Sequence, residues 1–399
     1  MPSFVLFVSP WALDFRDRGH DLVKSVKGRE LSSELPLAGI KVLDATSNIA
    51  GPWGGTVLGD LGADVLKIET PNGDPSRFMA PVDADRSAYF HVVNRNKDVI
   101  TIDLKTEDGK AKLHELLDDC DVFLTNFLPA QLEKFGLTSL ELRKLYPQLI
   151  IGNLSSYGSQ GPSSSWPGYD ATLQARTGVM SVTGERDGPP VRAGVSILDL
   201  GAGTWLALGI LAAIVKRDRT GQGSLVETSL YETGATWVGY HIAAYELTGH
   251  ASVRSGSGHP AFSPYGIFAT KQGDICIGVG NNAIFAKLCH KINRPELISD
   301  SQFHENADRV ENASSLKVEI EKGLIAHPAT YWVKILCESG VAAEEVRQPE
   351  ELLTDEQAKS MGILIDYPDT STDVKVVPGL PLRFDGKRPQ VRKPAPRRV

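Results

Sequence analysis

The chain has 399 residues, 41% apolar and 23% charged, enough for a full hydrophobic core and, by length, for two domains. Its net charge of −7 argues against a general nucleic-acid binder, which is usually basic. Cys120, Cys276, Cys289 and Cys337 form no C-x-x-C pair, which suits free thiols in the cytoplasm or mitochondrial matrix and not a disulfide framework or zinc site.

Residues 1–35 read as an N-terminal extension. Its apolar start lacks a basic n-region, and Asp14, Asp17 and Asp21 come early for a transit peptide, so targeting is the lesser alternative. From residue 36 strand and helix patterns alternate. "IKVLDA" (40–45), "DVLKIET" (64–70), "VITIDLK" (99–105), "DVFLTNF" (121–127) and "LIIGNLSS" (149–156) predict strands. "GGTVLGDLGA" (54–63), "EDGKAKLHELLDDC" (107–120) and "SLELRKLYPQ" (139–148) predict the helices between them. Such spacing implies an α/β large domain, residues 36–225, with a parallel sheet and right-handed crossovers. A Gly-, Pro- and Ser-rich loop, "YGSQGPSSSWPGYD" (157–170), follows the last of these strands, where ligands usually sit. "TWLALGILAAIVKR" (204–217) has the length of a buried core helix, and no apolar run is long and clean enough to span a bilayer.

Residues 226–340 read as a linker helix and a smaller α+β domain. A hairpin is expected around "KQGD" in "YGIFATKQGDICIGVG" (265–280), with helices near 283–291, 305–325 and 328–339. Residues 341–399 read as a return segment to the large domain and a basic, Pro-rich tail that frays.

Gly51, Gly54 and Gly55 lie after the first strand but lack the G-x-G-x-x-G offsets that bring backbone amides onto a pyrophosphate. They mark either a tight strand-to-helix turn with Pro52 early in the helix, or a loop that lets a ligand lie close to backbone. Asp199, in "VSILDLGAG" before an apolar helix, is either an N-cap or a carboxylate nucleophile held ionised by the helix dipole, with Gly201 and Gly203 leaving room for a ligand. Asp170 has the same cap alternative, and Tyr169 is either a core aromatic or a hydrogen-bond donor. His259, in "SGSGHP", is a solvated loop histidine or part of a lid. Arg77, Lys97, Lys105 and Lys134 are solvated surface charges or together meet an anion with several phosphates. Arg192 has the geometry to pair with a substrate carboxylate. Nothing has metal-ligand spacing, and no metal is expected.

Taken together, "PLAGIKVLDATSNIAGPWGGTVLGDLGADVLKIETPNGDPSR", "NRNKDVITIDLKTEDGK", "DVFLTNFLPAQLEKFGL", "ILDLGAG" and "RTGQGSLVETSLYET" resemble the class III CoA-transferases. This is the CaiB/BaiF group that includes formyl-CoA transferase. The resemblance runs from about residue 36 to about 385. It implies an interlocked homodimer, each chain with a Rossmann-like large domain and a small domain. It implies an aspartyl nucleophile at Asp199, supported by Tyr169, Asp170, Gly258 and His259. It places coenzyme A on Ile49, Ala50, Ile102, Lys105, Asn126, Phe127, Leu128, Lys134 and Gly168. No permanent cofactor is implied, since the acyl-CoA is a substrate, its partner is a carboxylic acid, and no membrane or nucleic acid takes part.

The pattern around Arg192 and "GHPAFSPYGIFATKQGDICIGVGNN" is most similar to the succinyl-CoA:glutarate, or dicarboxylate, branch. Ile49 stands where formyl-CoA transferase has a glutamine, and the chain stops at "APRRV", before the "LG-x-HT" segment and final helix of many members. α-Methylacyl-CoA racemases share the fold but carry a histidine where this chain has Tyr169. A phenol with an ordinary pKa near 10 is a poor base at neutral pH, which favours transfer over racemisation. A catalytically weak CoA-binding paralogue is the remaining alternative.

Overall fold

The computed structural model describes residues 35–398, so the extension expected over 1–35 falls, apart from Leu35, outside the described residues. The chain divides into two compact units. The first takes the described residues up to Thr177, Gly194–Gly239 and the chain from Glu356 onward; the second takes Gly178–Ala193 and Tyr240–Asp355.

The first unit is built on six parallel strands, β1 (Lys41–Asp44), β2 (Asp64–Glu69), β3 (Lys97–Thr101), β4 (Val122–Thr125), β5 (Ile150–Ser155) and β6 (Leu225–Ser229). Their order is β3-β2-β1-β4-β5-β6. This is the order of dinucleotide-binding folds, with the winding direction reversing between β1 and β4. Successive side chains leave opposite faces, so each strand feeds two cores. Val42, Val65, Val122 and Ile150 pack with α1 (Ala50–Asp60) on one face. Leu43, Leu66, Phe123 and Ile151 pack with α2 (Glu107–Leu117) on the other. The crossover elements that matter for the site are α3 (Pro129–Phe135), α4 (Asp170–Thr177), α5 (Ile197–Thr220) and α6 (Leu230–Trp237).

Helix α5 corrects the expectation for its segment. It runs 24 residues, Ile197–Thr220, and by length and composition it is long and apolar enough to cross a bilayer. Here its buried face, including Leu198, Ala202, Leu206 and Ile210, joins the core shared with α1. Gly201 and Gly203 are helical and leave no room for a ligand. A Cβ on Gly201 would lie 2.4 Å from the Trp237 ring, and one on Gly203 would lie 2.3 Å from the Ala50 carbonyl oxygen. The missing side chains let α1 and α6 close onto α5.

Three expected boundaries move. Strand β6 pairs with β5, so the large unit does not end at 225 but continues through α6 to Gly239. Residues 178–193 belong to the second unit. The return begins at Glu356, because Ala342–Glu345 is a strand of the second unit's sheet. That sheet is antiparallel: the hairpin β7 (Tyr265–Ala269) and β8 (Asp274–Gly278), with β9 (Ala342–Glu345) beside β8. Helices Asn282–Lys291, Ala313–Leu324 and Ala329–Glu338 cover its core.

Nor does the C-terminal tail fray. The Asn96 side-chain oxygen accepts from the Arg392 and Lys393 amides (2.7 and 2.9 Å). The Arg392 guanidinium donates to the Gly59 carbonyl at the end of α1 (2.6 Å), and Ala395 is fully buried with its amide on the Tyr367 hydroxyl (2.7 Å). Positive charge at a helix C-terminus is favourable, which gives the basic composition a structural use.

Candidate active site

In an open parallel sheet, ligands settle outside the carboxyl ends of the strands, where the winding reverses. Here that point lies between β1 and β4, and the loop Ala45–Ile49 leaves β1 there. Its middle is held by side chains from elsewhere. Asn126, just past β4, accepts from the Ser47 amide through Oδ1 (3.1 Å) and donates to the Ser47 carbonyl through Nδ2 (3.0 Å). The Lys67 ammonium donates to the Thr46 carbonyl (2.8 Å), and Asp74 Oδ1 accepts from the Asn48 amide (3.2 Å). Asn48 has φ +68°, a left-handed conformation that asparagine tolerates better than most residues.

Beneath the loop lies a buried ionic network. Lys67 pairs with Asp74 (2.7 Å), and Lys97 with Asp44 (2.8 Å), each side chain no more than 1% exposed. Lys97 also donates to the Pro52 carbonyl in the first turn of α1 (2.7 Å) and to Asn94 (3.0 Å). Burial pulls the Lys97 ammonium down to about 8, against the opposing pull of Asp44. Burial also pushes the Asp44 carboxyl up, but Lys97 and Lys67 outweigh it and hold the group below its ordinary value.

Two of the four basic residues expected to face phosphates are therefore not available to a ligand. Lys97 is spent on Asp44, and Arg77 forks onto Glu69 (2.7–3.1 Å) with its guanidinium over Phe90, fully buried. A buried charge persists only when it is paired, and these pairs are internal. Lys105 and Lys134 remain exposed.

The glycines after β1 take the turn reading. Ile49 is the N-cap of α1, so Gly51, Gly54 and Gly55 lie inside the helix, with Pro52 in its first turn. Cβ atoms there would meet Thr46 (2.4 Å), the Gly203 carbonyl (3.0 Å) and the Asp44 carboxylate (2.6 Å). The glycines allow α1 to rest on the charge network and on α5.

Asp199 stands in the first turn of α5, whose N-cap is Ser196 with no side-chain bond of its own. The capping oxygen comes from another helix. Asp170, the first residue of α4, accepts from the Leu198 amide (2.7 Å) and the Asp199 amide (3.3 Å) through one oxygen, and from Gln174 (2.5 Å) through the other. Asp199 is thus not the N-cap, and its own carboxylate is left for chemistry. The expectation that the helix N-terminus keeps it ionised is corrected. Burial, and then the neighbouring Asp170 charge, push it up to about 7. A helix N-terminus contributes about 0.3–1 kcal/mol, under one pKa unit, and does not offset them.

Helix α5 thereby meets α4 through Asp170, beside Asp199, and α1 through Ala50, whose carbonyl faces Gly203. Gly168 sits tightly: a Cβ would come 2.5 Å from Leu173, and its carbonyl accepts from Ser156 at the end of β5 (3.2 Å). Tyr169 is 70% exposed, so of its two readings the core aromatic is excluded. Ile102 is buried after β3, Phe127 packs edge-on to Phe135, and Leu128 is the N-cap of α3. Arg192, Gly258 and His259 belong to the second unit. Arg192 is exposed and donates to the Ala193 carbonyl (3.1 Å). His259 accepts from the Ala261 amide through Nδ1 (3.0 Å), and its ring lies 4.9 Å from Phe262 and 5.5 Å from Tyr265, so it is not simply solvated. Sequence reading missed Lys67, Asp74 and Asp44. For Asp44 and Lys67 the signal was a charged residue inside a strand buried on both faces; Asp74 caps a short turn after β2 and carried no such signal.

Residues 37–398 match CoA-transferase family III. The chain is a family III CoA-transferase. An acetyl-CoA:oxalate CoA-transferase from Acetobacter aceti is 35% identical over 360 residues, covering 88% of this chain and 90% of its own. A succinyl-CoA:glutarate CoA-transferase from Mus musculus is 34% identical over 370 residues, covering 92% and 85%. A CaiB/BaiF family protein from Brucella suis superposes with a TM-score of 0.82 at 32% identity, over 91% of this chain and 96% of its own. The enzyme's fold, with its Rossmann-order sheet, matches that of the CaiB/BaiF family protein.

Proposed function

We propose that this transferase moves CoA from a short dicarboxylyl-CoA, succinyl-CoA first, to a short dicarboxylic acid, with Asp199 as the nucleophile. The observation that carries the proposal is the Asp199 carboxylate: half-buried in the first turn of α5, with its cap duty taken over by Asp170. An Asp199 oxygen attacks the thioester carbon, the C–S bond breaks, and CoA leaves as the thiolate from a mixed anhydride. The thiolate attacks the Asp199 carbonyl, releasing the donor acid and leaving an aspartyl-CoA thioester. The acceptor carboxylate displaces CoA to form a second anhydride. The thiolate then attacks the acceptor carbonyl, freeing the new CoA ester and the Asp199 carboxylate. Each step trades one acyl bond for another, so the thioester energy is conserved.

The dicarboxylate reading draws on the acids in the relatives' names: oxalate, glutarate and D-citramalate. Ile49 gives the loop an apolar side chain there, which favours an acid with a methylene chain over oxalate. In the interlocked homodimer this reading includes, a second copy covers the outward apolar face of α5, where Trp205, Leu208 and Val215 are 43, 53 and 59% exposed. Incubation with succinyl-CoA and a panel of C2 to C6 acids, read by mass spectrometry of the CoA esters, is expected to give glutaryl-CoA or a neighbouring dicarboxylyl-CoA. Exchange with monocarboxylic acids alone would overturn the substrate class.

A further inference from the structure

The loop between β1 and α1 takes its shape from side chains outside it. The Thr46 carbonyl, both backbone groups of Ser47 and the Asn48 amide are bonded by Lys67, Asn126 and Asp74 respectively. Lys67 and Asp74 are themselves joined in a buried pair at 2.7 Å, and Ser76 donates to Asp74 through its amide and hydroxyl (2.8 and 2.7 Å). A buried ion pair is a weak way to gain stability, since apolar residues of similar volume often serve as well or better. What apolar residues cannot do is donate to the Thr46 carbonyl and accept from the Asn48 amide. Those two bonds fix the backbone that leads directly into Ile49 and Ala50.

We propose that Lys67 and Asp74 are positioning residues for the acyl-CoA substrate: they hold residues 46–48 so that Ile49 and Ala50 meet coenzyme A. The proposal rests on the CoA-transfer reading of this site. Asn126 shares the task, because both ends of its amide are engaged with Ser47. A displacement of the loop by a fraction of an ångström is then felt as lost CoA affinity, with no change in the residues that touch the acid.

The test compares two charge-neutral double variants of the full chain. Lys67→Met/Asp74→Asn removes the loop's pair while Asp44 keeps Lys97. Arg95→Met/Asp60→Asn removes an equally buried pair (2.7 Å) at the far end of α1. Calorimetric titration with CoA, and KM for succinyl-CoA and for the acceptor acid, are measured on both. The first variant is expected to weaken CoA binding and raise KM for succinyl-CoA on the order of 10–100-fold, with KM for the acid unchanged. The second is expected to leave CoA binding as in the natural enzyme. Equal affinity in the first variant, or equal losses in both, overturns the proposal. If the natural enzyme itself does not bind CoA, it is the functional reading that fails, and the two failures are told apart by that titration. Should the first variant not fold, Lys67→Gln/Asp74→Asn keeps polar side chains in place of the ion pair and is read by hydrogen exchange without CoA. Faster exchange over residues 46–52 together with weaker CoA binding supports the proposal; unchanged exchange there overturns it.

Discussion

Replacing Asp199 with alanine is expected to abolish CoA exchange, a loss on the order of 10⁴–10⁶-fold in kcat, the scale of deleting a covalent nucleophile. Asp170, the nearest carboxylate described, cannot take over. Its oxygens are committed to the Leu198 and Asp199 amides and to Gln174. Asp199→Asn keeps the shape and should be equally inactive, while retained exchange in either variant would assign the chemistry elsewhere. The same carboxylate sets the pH dependence. Only its ionised form attacks, and burial and Asp170 raise it to about 7, so kcat/KM is expected to climb through that pH and level off above it. Stability moves the opposite way. The folded value lies above the unfolded 3.8, so this group's contribution is complete below 3.8 and is lost as pH rises through about 7. Asp199→Asn should therefore be more resistant to urea than the natural enzyme at pH 8, with no such gain at pH 4. A difference that is the same at both pH values would contradict this assignment.

Lys97→Met is expected to give the largest loss of stability, about 3–5 kcal/mol, because it leaves the Asp44 carboxylate buried without its partner. The loss also reaches the site, since Lys97 ties the first turn of α1 to the end of β1 through Pro52 and Asp44. Adding Asp44→Asn removes the stranded charge and should restore much of the stability. Urea unfolding of the single and double variants measures both effects. A single variant as stable as the natural enzyme would mean that the pair is not the strut described.

The fold was largely legible because its strands are short apolar runs between helices of ordinary length, and a parallel sheet buried on both faces writes just that pattern. The first five strands and the hairpin at "KQGD" fall close to where periodicity puts them. The misses share a physical cause. Gly201 and Gly203 read as ligand clearance, yet each accommodates a neighbouring helix, and a missing Cβ looks alike in sequence whether a ligand or a helix fills the space. Lys97 and Arg77 read as surface cations because their partners, Asp44 and Glu69, are 53 and 8 residues away. The tail read as frayed because its composition is polar, while its anchors, Asn96 and Tyr367, are brought to it only by the fold. Asp199 was singled out by its place before an apolar helix. That Asp170 caps this helix, and so frees Asp199, is a relation between two helices that no local pattern records.

The most direct test of the account is mass spectrometry of the enzyme trapped during incubation with succinyl-CoA and digested with trypsin. A CoA thioester or succinyl anhydride adduct on the peptide spanning residues 193–216, which carries Asp199, is the predicted result. Turnover that proceeds with that peptide unmodified, or with the adduct on another carboxylate, would contradict it.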